Sequence, residues 1–76
     1  MVVEVYTKPG CPLCDEMLEL FEEIRLPGGQ PAVRNIYQRQ EWFDAYRYRV
    51  PVVVIDGAVR LELRFTLEQL KKALNP

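Results

Sequence analysis

Histidine and serine are both absent from the 76 residues, and cysteine occurs only twice. These absences remove Ser-His and Cys-His nucleophile pairs and every imidazole metal ligand. Two thiols cannot build the disulfide framework of a secreted mini-protein. No apolar run approaches the roughly 18 to 20 residues that cross a bilayer, so no membrane partner is expected. Charge of one sign is also lacking: ten basic residues against eleven acidic ones leave a net charge of -1. No overall positive field therefore draws in nucleic acid or anionic lipid. The amino-terminal stretch Met1-Val2-Val3-Glu4-Val5 carries no basic segment of the kind that opens a leader. The expectation is a cytoplasmic chain whose cysteines stay reactive rather than permanently bridged.

Hydrophobic residues make up 49% and charged residues 28% of the sequence, a balance that folds rather than stays disordered. The length allows a single domain over residues 1–76, expected to be monomeric, with an economical core. Val2 to Tyr6 is a β-branched and aromatic run ended by Thr7-Lys8-Pro9-Gly10, the pattern of a first strand. Met17, Leu18, Phe21 and Ile24 then recur at three- and four-residue intervals between glutamates, which predicts an amphipathic helix. Pro12 marks its start and Leu26-Pro27-Gly28-Gly29 its end. Ala32 to Tyr37 reads as a second strand and Gln40 to Tyr48 as a short second helix before Val50-Pro51.

Val52 to Ile55, Asp56-Gly57, and Ala58 to Phe65 form a hairpin signal, because Asp-Gly supplies the positive φ of a tight turn. The unbroken Val-Val-Val-Ile run suits a strand covered on both faces. Thr66-Leu67-Glu68-Gln69 has the form of a capping box opening a last helix. The fold class is α/β, in the order β-α-β-α-β-β-α, with one four-stranded mixed sheet flanked by helices.

The chemistry sits at Cys11-Pro12-Leu13-Cys14, where a strand meets a helix. Zinc wants four ligands, and two thiols without an imidazole do not make a monomeric site. A thiol at a helix amino terminus faces free N–H groups and the positive end of the dipole, which favour the thiolate. Such settings bring a cysteine from about 8.5 to between roughly 3.5 and 7.5. Cys11, at the cap and open to solvent, is expected to attack, and Cys14, one turn inside, to resolve the mixed disulfide. Two other uses of the pair stay open: an iron–sulfur cluster bridging two chains through Cys11, and a fold kept only as a contact surface.

Lys8-Pro9-Gly10-Cys11-Pro12-Leu13-Cys14 resembles the active-site segment of glutaredoxins in the thioredoxin superfamily, and Val50-Pro51 before Val52-Val53-Val54 resembles that superfamily's cis-proline loop. The resemblance covers almost the whole chain. It implies a thioredoxin fold, a nucleophilic Cys11, a resolving Cys14 and a cis Pro51 opposite the dithiol. It also implies that Lys8 and the backbone of Val50 help hold glutathione. The implied substrate-facing set is Lys8, Pro12, Leu13, Arg49, Val50 and Pro51. Leu13 stands where glutaredoxins usually have tyrosine and Arg49 where they usually have threonine. Glu62-Leu63-Arg64-Phe65-Thr66 replaces their glycine pair and aspartate. Arg47 or Arg49 remains available to pair a substrate carboxylate.

The implied activity is thiol–disulfide exchange on protein or glutathione mixed disulfides. No cofactor is expected to be permanently bound, and glutathione would be a cosubstrate. A thioredoxin-like reductant fed by a reductase is the alternative. Arg39, Arg47 and Arg49 interleave with Tyr37, Trp42, Tyr46 and Tyr48. That pattern is read as core and sheet cover rather than as an RNA surface, since Glu41 and Asp44 interrupt the charge.

Overall fold

Four short strands and three helices follow the expected order in the computed structural model, which describes residues 1–26 and 28–74. Strand β1 (Val3–Thr7) leads into helix α1 (Pro12–Phe21), then β2 (Ala32–Asn35), a 3-10 turn at Ile36–Gln38, α2 (Gln40–Tyr46), β3 (Val52–Ile55), β4 (Ala58–Glu62) and α3 (Leu67–Leu74). The sheet order is β2-β1-β3-β4, with β1 parallel to β2 and antiparallel to β3, and β3 antiparallel to β4. The β1-α1-β2 unit is the crossover that parallel strands require. No helix among the described residues is long and apolar enough to cross a membrane.

Alternation along β1 and β3 divides the core between the two sheet faces. Val3, Val5, Val53 and Ile55 face Met17 and Phe21 of α1 and Leu70 and Ala73 of α3. Tyr6, Val52 and Val54 face the other way, with Ile36, Val50 and the two cysteines, under Trp42, Phe43 and Tyr46. All four residues of β3 are buried, as the unbroken apolar run requires. Between β3 and β4, Asp56 (φ 49) and Gly57 (φ 82) both turn through positive φ, the conformation of a type I′ hairpin. The amide of Asp56 donates to the carbonyl of Val2, and its carboxylate accepts from the amide of Val2, both at 2.8 Å. These bonds pin the turn to the approach to β1.

Four boundaries fall short of the sequence pattern, and one of them is α2, which ends at Tyr46 rather than Tyr48. Helix α1 stops at Phe21, and the amides of Glu22, Glu23 and Ile24 bond three residues back, in tighter turns. Ile24 and Leu26 still pack on the core, but from this tail. Of the expected stop signal, Pro27 lies outside the described residues. Strand β2 ends at Asn35, whose side chain accepts from the amide of Tyr37 at 2.9 Å and starts the 3-10 turn. Strand β4 ends at Glu62 because Leu63 swings to φ 61.

Candidate dithiol active site

Gly10, at φ +68, turns the chain out of β1 and delivers Cys11 to the N-cap of α1 in extended conformation, with Pro12 in the first turn. Proline suits that place because it lacks the N–H that would otherwise be unpaired there. The Cys11 Sγ accepts the amide of Cys14 at 3.2 Å, so the sulfur does what a capping oxygen usually does. The amide of Asp15 donates to the Cys11 carbonyl at 3.2 Å, closing the first helical turn. The two cysteines are joined as a disulfide, with their Cα atoms 5.3 Å apart.

Cys11 is the more accessible of the pair, but at 9% exposed against 1% for Cys14 it is far from open. The expectation of a solvent-exposed nucleophile is corrected to a shielded one. The cause is packing: both cysteines belong to the apolar cluster of Tyr6, Ile36, Val50, Val52 and Val54. Leu13 lies between them in sequence, half-buried, and packs against both sheet-face clusters. Pro12 is exposed beside the nucleophile, and Lys8 is partly buried in the loop that precedes it.

The Val50–Pro51 bond is cis. Val50 shares the cysteine cluster, and Pro51 is less than 2% exposed. The amide of Leu63 reaches back to this loop and donates to the carbonyls of Arg49 at 3.2 Å and Pro51 at 2.9 Å. A leucine at φ 61 is sterically costly, and here the left-handed turn is what aims its amide between those two carbonyls.

Arg49 is engaged within the chain in this arrangement. Its Nε and Nη2 hold Glu62 Oε2 at 2.8 and 2.6 Å, and its guanidinium lies 5.5 Å from the centre of the Tyr46 ring. Arg47 has no carboxylate partner among the described residues; it lies over the rings of Phe43 at 5.4 Å and Tyr48 at 4.7 Å. Of the two arginines proposed from sequence, Arg47 is the one left free to take an anion. No group of three or more His, Cys, Asp or Glu residues that could hold a metal ion occurs among the described residues.

Tyr6 is the site residue that the sequence pattern marked only as strand. Its ring sits edge-on to Trp42, with centroids 5.2 Å apart, and tilted against Tyr46 at 4.9 Å. Its hydroxyl donates to Glu4 Oε2 at 3.4 Å, and Arg34 donates to the same oxygen at 3.1 Å. Burial pushes the Tyr6 phenol above its ordinary range, and the neighbouring Glu4 carboxylate adds to that rise.

The profile of the Glutaredoxin-like domain (DUF836) matches residues 2–75. A Probable Thioredoxin of Methanothermobacter thermautotrophicus is 27% identical over 77 residues, covering 96% of this chain and 91% of its own length. The X-ray structure of XcR50, a Northeast Structural Genomics target protein from X. campestris, superposes with a TM-score of 0.83 at 26% identity, covering 97% of this chain and 96% of that one. The four-stranded mixed sheet, the flanking helices and the close cysteine pair agree with these likenesses. The chain belongs to the Glutaredoxin-like (DUF836) domain family and has a thioredoxin-like fold.

Proposed function

We propose that the chain is a thiol–disulfide oxidoreductase that reduces protein or glutathione mixed disulfides through Cys11 and Cys14. The observation that carries this reading is the N-cap geometry, in which the Cys11 sulfur accepts the amide of Cys14 at 3.2 Å. In the reduced protein that amide and the helix terminus favour the thiolate over the thiol. The Cys11 thiolate attacks one sulfur of the partner disulfide, and the other sulfur leaves as a thiolate. Cys14 then loses its proton and attacks the Cys11 sulfur, forming the internal disulfide and releasing the second partner thiolate. Two electrons pass to the partner. An external thiol or a reductase returns them, glutathione serving as cosubstrate in the first case.

The backbone of Val50, beside the cysteines, is the group assigned to pair with the extended substrate. Lys8, Pro12 and Leu13 border the same approach. The Arg49–Glu62 ion pair favours a second reading within this class, a reductant that does not depend on glutathione, because the guanidinium is already occupied. Turnover with glutathione as sole reductant, run beside a reductase-coupled assay, separates the two.

Cys11→Ser is expected to abolish exchange, and Cys14→Ser to accumulate a covalent mixed disulfide visible by mass spectrometry. The reading fails if Cys11→Ser retains turnover, or if the reduced wild-type thiol alkylates near pH 6 no faster than free cysteine.

A further inference from the structure

Trp42 and Tyr46 cover Tyr6 as sheet packing requires, but Tyr37 and Tyr48 lie mostly in solvent, at 59% and 79% exposed. Between them Phe43 stacks on Tyr37, with ring centres 5.6 Å apart, and Arg47 lies over both Phe43 and Tyr48. Arg39 extends the row over Trp42 at 5.3 Å. Exposed aromatic rings and arginine are the residue types enriched where proteins bind one another. Tyr37 and Tyr48 are not part of the core.

The row adjoins the cluster that holds the dithiol. Phe43 packs against the cluster that contains Cys11 and Cys14, and Tyr48 is two residues from Val50 in the sequence. Arg47 and Tyr48 stand on the segment that leads from the end of α2 to Val50, which shares the cysteine cluster.

We propose that this row is the docking surface for the chain's protein substrates, and that it selects those with acidic residues flanking the disulfide. The selection rests on the exchange reading given above. Arg47 supplies the uncompensated positive charge, since it pairs with no carboxylate among the described residues. The aromatic rings supply apolar area and hold the guanidinium in place. The molecule as a whole carries a net charge of -1, so a preference for acidic partners has to be local, and Lys8, in the loop before Cys11, is the other cation on this approach. Single-stranded RNA is the less favoured occupant, because one unpaired arginine next to Glu41 and Asp44 does not make the basic stripe that tracks a phosphate backbone.

The test uses the reduced full chain and three short peptides. Each contains one cysteine as a mixed disulfide with thiopyridine, flanked by glutamates, glutamines or lysines. Release of thiopyridone reports attack by Cys11. At an ionic strength of about 0.01 M, where charges act over about 30 Å, the glutamate peptide is expected to react faster than the lysine peptide by about two- to five-fold, the range of exposed ion pairs. The difference should vanish near 1 M salt, and Arg47→Glu should reverse it. Equal rates for all three peptides would overturn the docking proposal and leave the exchange reading intact. Release from none of them would overturn the exchange reading itself. Equal peptide rates together with anisotropy-detected binding of a single-stranded RNA would reassign the surface to nucleic acid.

Discussion

The phenol of Tyr6 shows how much one buried polar tip can report about its surroundings. It lies under Trp42 and Tyr46 and shares Glu4 Oε2 with Arg34. Losing its proton would place a second negative charge beside Glu4 with little water to screen it, so its pKa is raised above 10.0. The folded chain therefore holds that proton at a pH where the unfolded chain releases it. Stability is complete below the unfolded value of about 10 and falls as pH rises through the folded value. Ultraviolet titration is expected to show one tyrosinate appearing later than an ordinary tyrosine. Tyr6→Phe should remove that late component and weaken the loss of stability above pH 10. An unchanged late component in Tyr6→Phe would contradict the assignment.

At the scale of elements, the start of α3 is the most completely formed local device. The Thr66 amide donates to Gln69 Oε1 at 2.8 Å, and the Gln69 amide donates to Thr66 Oγ1 at 3.1 Å. The bidentate pair of Arg64 with Glu16 and the Phe65 amide on Met17 Sδ, at 3.3 Å, dock the same segment on α1. Thr66→Ala is expected to cost about 1 kcal/mol, a fall in Tm of about 4 to 8 °C for a domain of this size, with Thr66→Ser restoring most of it. Calorimetry checks both, and equal Tm values for wild type and Thr66→Ala would deny the box its role.

This capping box, the Asp56-Gly57 turn and the Cys11–Cys14 pair were legible in the sequence for one reason: each is completed within four consecutive residues. What escaped reading depends on residues brought together from afar. The amide of Leu63 finds Arg49 and Pro51 across more than ten positions, and Glu62 pairs with Arg49 across thirteen. Periodicity carried α1 on to Ile24 because Ile24 does meet the core, although through a turn rather than a helix. The burial of Cys11 likewise depends on Tyr6, Ile36 and Val50, which no local pattern links to it.

For the whole molecule, the dithiol is only as well placed as the helix that carries it, and α1 is anchored by few side chains. Cys14, Met17 and Phe21 are its buried residues, and Phe21, at 1% exposed, is the largest fully buried side chain. A chain of 76 residues has a total stability of about 4 to 11 kcal/mol, at roughly 0.05 to 0.15 kcal/mol per residue. Phe21→Ala removes about 3 to 5 kcal/mol, a large part of that total, because a ring is lost where α1 meets the sheet. Val59, 43% exposed on edge strand β4, provides the contrast: Val59→Ala should stay within about 0.5 kcal/mol of wild type. Urea titration is expected to move the midpoint of Phe21→Ala far down and leave that of Val59→Ala nearly in place. Rapid alkylation of Cys11 should decline in step with the folded fraction, since the unfolded chain has no helix terminus to favour the thiolate. Equal midpoints for the two variants would show that α1 is not held by Phe21. Fast alkylation persisting in unfolded Phe21→Ala would show that the reactivity of Cys11 owes nothing to the fold.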